Sequence, residues 1–209
     1  MRLFTTLIIV AVIFSCCHAR TQNDKGENLV VQIQPFGNFP EEDLQYVYNG
    51  IKKHYPYVTL TKALPLPKKA YYAKRNRYKA DSLLTFLSSR TGEGEVIIGL
   101  TEKDISTTKD KVKDWGILGL GLCPGKACVA STYRLSKTKR QEQLFKVCIH
   151  ELGHTQGLKH CPVVYCFMHD AEGRNTTDEE TDFCPDCKAV LVSKGWRFWV
   201  PRSISPLRH

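Results

Sequence analysis

From Leu29 to Gly157 the chain alternates short apolar runs with amphipathic stretches. "LVVQIQPF" predicts a strand over Leu29–Gln34. "PEEDLQYVYNGIKKHY" places Pro40 at a helix start, with Glu41, Glu42 and Asp43 in the first turn, where acids complement the helix dipole. Leu44, Val47 and Ile51 follow at helical spacing. Tyr57–Thr61 alternates as a strand does, and "ALPLP" reads as extended loop. Ala80, Leu83, Leu84 and Leu87 share one face of a second helix, and the unbroken apolar run of Glu95–Thr101 predicts a buried strand. "WGILGLGLCPGKACVASTYRL" predicts two strands joined by a turn around Pro124 and Gly125. "RQEQLFKVCIHELGHTQG" gives a third helix with Leu144, Val147, Cys148, Ile149 and Leu152 on its apolar side and Gly157 as its stop. This order predicts an α/β fold with a mixed sheet.

Beyond Gly157 cysteines, prolines and loop signals take over, and a last helix is expected to start near Thr181 and run through "CKAVLVSKGW". The division predicted is a sheet-and-helix part over 29–157, a smaller metal-rich part over 158–197, and a loosely ordered tail over 198–209. At the other end, "MRLFTTLIIVAVIFSCCHA" has a basic start, an apolar run and small residues, the pattern of an export signal over 1–19, followed by a polar tether over 20–28. Ile13, Phe14, Ser15, Cys16 resembles a bacterial lipobox and makes Cys16 a candidate for lipidation, with Cys17 as a poorer register. The rival reading is a simple secretory cut between Ala19 and Arg20.

At 209 residues, 42% of them hydrophobic, the chain can bury a core without disulfide staples. The net charge of +9 is uneven: Lys68–Ala80 has six basic residues and no acid. We read this run as a solvated face leading into a helix rather than a nucleic-acid patch, because one short basic run is common and an exported protein seldom meets nucleic acid.

Chemistry concentrates in "CIHELGHTQGLKHCPVVYCFMHD", Cys148 to Asp170. His150 and His154 lie four apart on the third helix, so both imidazoles share one face at a spacing where two nitrogens reach one ion. Gly157 turns the backbone and allows His160 to return as a third ligand. Three neutral imidazoles leave a fourth position open, the mark of a catalytic rather than a structural zinc. Glu151 sits between the histidines as the expected general base. Cys161 with Cys166, and Cys184 with Cys187, read as a closed four-thiolate zinc site, with two disulfides as the alternative in an oxidising compartment. Cys123 and Cys128 are close enough in sequence for a small disulfide loop, and Cys148 reads as a core residue.

With "HELGHTQGLKHC", "CFM" and "CPDC" in place, His150–Cys187 resembles the archaemetzincin family of metzincin-type peptidases, and the likeness extends over most of Val30–Gly195. The resemblance implies a metzincin-like mixed sheet with an active-site helix and a small C-terminal zinc-binding subdomain. It implies two zinc ions, a catalytic one on His150, His154 and His160 and a structural one on Cys161, Cys166, Cys184 and Cys187, with Met168 in a Met-turn. It also places the "GLCPGKACVAS" segment at the sheet edge beside the cleft. The expected function is hydrolysis of peptide bonds in a peptide or protein substrate. The alternatives are an inactive, zinc-stabilised binding module of the envelope and a zinc-ribbon nucleic-acid binder. Nucleic acid is not an expected partner, a monomer is expected, and the leader implies export, with attachment to a membrane if Cys16 carries lipid.

Overall fold

A computed structural model of the chain describes residues 29–170 and 174–198. The expected leader with Cys16 and Cys17, the tether, and tail residues 199–209 lie outside the described residues. The elements are, in order, β1 (Val30–Pro35), α1 (Glu41–His54), β2 (Val58–Leu60), β3 (Tyr71–Tyr72), β4 (Arg77–Lys79), α2 (Ala80–Ser88), β5 (Glu95–Thr101), β6 (Ile105–Lys109), β7 (Val112–Ile117), β8 (Gly119–Gly121), β9 (Ala127–Ser131), α3 (Arg140–Thr155) and α4 (Pro185–Val192).

The main sheet has the order β2-β1-β5-β9-β8. All pairs are parallel except β8, which runs antiparallel to β9 at the edge. Central parallel strands are buried on both faces, which is why β5 reads as a continuous apolar run. Val96, Ile98 and Leu100 face a core shared with α1 and α3, while Ile97 faces the core under α2. Strand periodicity splits β9 likewise: Cys128 and Ala130 go to the first core, Ala127 and Val129 to the second. The first core continues without a break through Cys166, Phe167, Met168, Phe183, Leu191 and Trp196, so the segment after Gly157 packs against the same apolar face.

Three expectations need correction. A second sheet, β3-β4-β6-β7, was not predicted. Its strands are two to six residues long and partly polar, so they carry no clear hydrophobic alternation. The basic run is therefore not a bare solvated face: Arg77 and Lys79 lie in β4, and both pair with Asp114. The last helix starts at Pro185 rather than near Thr181. Cys184 is extended, and residues before it are tied by backbone bonds from Thr181 N to Tyr165 O and from Phe167 N to Asp182 O. The third correction concerns Cys123 and Cys128, which are both free thiols. Cys128 points from β9 into the core under α3, opposite Gly121, whereas Cys123 lies past the end of β8, exposed, with its Sγ 3.2 Å from Leu158 O.

Candidate metal centre and active site

The cleft of about 600 Å³ between the edge strand, the β6–β7 hairpin and α3 is lined by His150, Glu151, His154 and His160. The one-turn spacing on α3 puts His150 and His154 side by side, with their Nε2 atoms 3.1 Å apart. At Gly157 the backbone takes φ of +92°, a conformation open to glycine, and the chain reverses. His160 then arrives with its ring centroid 4.9 Å from that of His154 and 5.4 Å from that of His150. The three ligand-capable nitrogens lie within 4.8 Å of one another.

Each ring is oriented from behind. His150 Nδ1 is 2.6 Å from Phe167 O, and His154 Nδ1 is 2.8 Å from Leu158 O. A carbonyl only accepts, so both rings are Nδ1–H tautomers and direct their Nε2 lone pairs at one point. His160 Nδ1 lies 3.2 Å from Asp170 Oδ2, which leaves Nε2 for the cluster. Burial, then the neighbouring His154, pushes His150 down to about 3, and burial lowers His154 too, so both stay neutral and ligand-ready. Two nitrogen lone pairs at 3.1 Å repel unless a cation lies between them. The separation matches the roughly 3.3 Å expected for nitrogens on one tetrahedral zinc with Zn–N bonds of about 2.05 Å.

Glu151 is buried against the edge strand. The strand comes this close because it lacks side chains there: a Cβ at Gly119 would fall 2.6 Å from Glu151 Oε1, and one at Gly121 would fall 2.7 Å from the Glu151 carbonyl. Burial alone raises the Glu151 carboxyl to about 8, and a cation in the histidine cluster acts in the opposite direction.

Directly behind this site, Cys161, Cys166, Cys184 and Cys187 gather with their sulfurs within 4.8 Å of one another. Cys161 and Cys184 Sγ are 3.7 Å apart, no disulfide distance but close to the roughly 3.8 Å between thiolates on one tetrahedral zinc. All four are free thiols, which sets aside the two-disulfide alternative. Backbone amides of Met168 and Cys184 point at Cys166 Sγ, at 3.5 and 3.3 Å, as donors to a thiolate would. Met168 itself is fully buried, and its Sδ occupies the space where a Cβ on Gly153 of α3 would lie.

Every histidine and cysteine proposed as a ligand from sequence thus falls into one of two clusters, and Cys148 is buried in the core away from both. Sequence reading missed the carbonyls of Phe167 and Leu158, which no side chain announces, and the contacts of Gly119 and Gly153. Asp170 carried a faint signal, an acid two residues past Met168.

Comparison with known proteins places the chain in a family. The family model described as peptidase family M54 matches residues 32–193. The archaemetzincin of Natronomonas pharaonis is 30% identical over 176 residues, covering 78% of this chain and 99% of that protein. The crystal structure of the Methanopyrus kandleri archaemetzincin superposes with a TM-score of 0.70 at 28% identity, covering 81% of this chain and 97% of that one. The Archaeoglobus fulgidus archaemetzincin gives 0.66 at 26% identity, covering 77% and 98%.

Proposed function

This chain belongs to peptidase family M54, the archaemetzincin-type zinc metallopeptidases, and from that premise we propose how its own residues divide the work. His150, His154 and His160 hold the catalytic zinc, and Glu151 is the general base. The observation that carries this reading is the 3.1 Å approach of the His150 and His154 Nε2 atoms, each with Nδ1 committed to a carbonyl. Zinc at that point supplies a Lewis acid that acidifies water and polarises the scissile carbonyl. The Glu151 carboxylate takes the proton of the attacking water and delivers it to the leaving amine, so no residue becomes covalently attached to substrate. The edge strand β8 offers unpaired backbone groups to an extended peptide, which positions the scissile bond over Glu151.

A second, structural zinc on Cys161, Cys166, Cys184 and Cys187 fits the converging sulfurs and the amides aimed at Cys166. The test counts zinc per chain and compares peptide cleavage by wild type and Glu151→Gln. Two zinc ions with cleavage lowered by about 10²–10⁴ in the variant support the proposal. Cleavage unchanged in the variant removes Glu151 from the chemistry. No cleavage by the two-zinc wild type moves the reading to an inactive binding module of the envelope.

The leader over residues 1–19 supports export, and Cys16 supports anchoring in the cell envelope. Among the described residues no helix is long and apolar enough to cross a membrane. The mass of the mature N-terminus decides between a lipidated Cys16 and a free Arg20. We assign the enzyme as a monomer, which sedimentation checks.

A further inference from the structure

We propose that Arg134 is a specificity-determining residue, the anion-binding end of the substrate cleft, which favours peptides that place a carboxylate there. The inference rests on the peptidase reading above and goes beyond it to the substrate class.

Arg134 lies in the loop between β9 and α3 and lines the same cleft as His150 and Glu151. Its guanidinium is held from behind: Nε and Nη2 donate to Asp104 Oδ1 and Oδ2 at 2.8 and 2.9 Å, a two-pronged fit. Asp104 is itself buried, 6% exposed, and is shared with Arg77. In front, the strand wall is cut away for it. A Cβ at Gly116 of β7 would fall inside the Arg134 guanidinium, so this glycine is what admits the group to the cleft. A guanidinium has five N–H donors and Asp104 takes only two, while the side chain keeps 34% of its surface exposed. It is therefore a fixed fork with donors to spare, oriented before substrate arrives.

Within the ion-pair cluster around Arg134 cations outnumber carboxylates. Two carboxylates, Asp104 and Asp114, serve four cations, Arg75, Arg77, Lys79 and Arg134. Lys109 adds a further cation on the same cleft wall. Arg174 lines the cleft as well. Lys146, a further cation of the lining, differs: its Nζ is tied to Glu142 Oε1 at 2.6 Å and to Thr177 O at 2.9 Å, so its charge and hydrogen bonds are already met. At Arg134 a substrate carboxylate finds a charge-assisted, planar contact on a guanidinium already oriented by Asp104.

The carboxylate has two sources, an Asp or Glu side chain or a free C-terminus. The experiment uses the full zinc-loaded enzyme and peptides carrying Glu, Gln, Asp, Asn or Lys at each position around the cut, each with a free and an amidated C-terminus. Expected is one position where the acid exceeds its amide isostere by about 10-fold or more in kcat/KM, an advantage that fades with salt. A free C-terminus cleaved about 10-fold or more faster than its amide, whatever the side chain, assigns the contact to the terminal carboxylate instead. Arg134→Gln is expected to lower kcat/KM for the acidic peptide about 10-fold more than for the isostere, mainly through KM, with Arg134→Lys recovering part of the difference. Equal cleavage of acid and isostere by wild type, together with equal cleavage of free and amidated C-termini, overturns the inference. So does an equal loss on both peptides in Arg134→Gln, which would leave Arg134 as mere support for Asp104. If no peptide is cleaved, the proposed function fails first. Calorimetric binding to Glu151→Gln then decides the inference, which falls if the acidic peptide binds no tighter than its isostere.

Discussion

The carbonyl of Phe167 accepts from His150 Nδ1 at 2.6 Å, and the residue before Phe167 is Cys166, one of the four clustered thiols. The residue after it is Met168, whose amide points at Cys166 Sγ and whose carbonyl accepts from Cys161 N at 2.7 Å. One tripeptide therefore belongs to the thiol cluster, orients a histidine and supports the active-site helix.

Cys184→Ser tests that connection. Loss of this thiol removes the sulfur 3.7 Å from Cys161 and loosens the turn that carries the Phe167 carbonyl. Zinc content is expected to fall below one per chain rather than from two to one, with a lower unfolding midpoint. A variant that retains one full, tightly held zinc would show that the two sites are independent.

Gly153→Ala tests the floor of the site. The added methyl collides with Met168 Sδ, and overpacking of this kind costs about 1–3 kcal/mol. Because α3 carries both His150 and His154, zinc affinity should drop along with thermal stability. Stability that drops with no change in zinc affinity would confine Met168 to packing.

Asp170→Asn tests the orientation of His160. The carboxylate lies 3.2 Å from Nδ1, and loss of such an orienting group weakens metal binding by about 10–100-fold. Competition with a chelator of known affinity measures this directly. Since the pair is about half exposed, little change in folding stability is expected.

Glu180 gives a pH signature. Burial raises its carboxyl to about 7, opposed by Lys146 and His169 and helped by Glu179, with Thr176 donating to Oε1 at 3.0 Å. Below the unfolded pKa both states are protonated and burial costs nothing through ionisation. As pH rises toward 7 the unfolded chain releases the proton first, so stability falls. Glu180→Gln should therefore match wild type near pH 4 and exceed it by about 1–3 kcal/mol at pH 8, with zinc kept saturating. A difference independent of pH would mean that Glu180 does not hold its proton in the folded protein.

The parts legible in the sequence were those with strong periods or fixed spacings. β5 was bounded correctly because a parallel strand buried on both faces must be apolar throughout. The histidine cluster was legible because helix pitch alone brings His150 beside His154, and a glycine able to take positive φ returns the chain to His160. The β3-β4-β6-β7 sheet was not legible, because its short strands each offer at most one or two apolar residues, such as Tyr78, Ile105 and Ile117, to the core and are otherwise polar, with ion pairs such as Arg77 with Asp104 beside them. The free state of Cys123 and Cys128 was not legible either: nearness in sequence says nothing about the side of the strand on which each thiol lies.

The sequence by itself determined the donor atoms, their spacing and the helix that carries them, since these follow from local geometry over a few residues. Tertiary structure alone decided the carbonyls of Phe167 and Leu158 behind the rings, the glycine strand over Glu151 and the slot that admits Arg134. Each of these joins segments distant in the chain through backbone atoms or missing side chains, and neither leaves a pattern in residue types until the fold has brought the segments together.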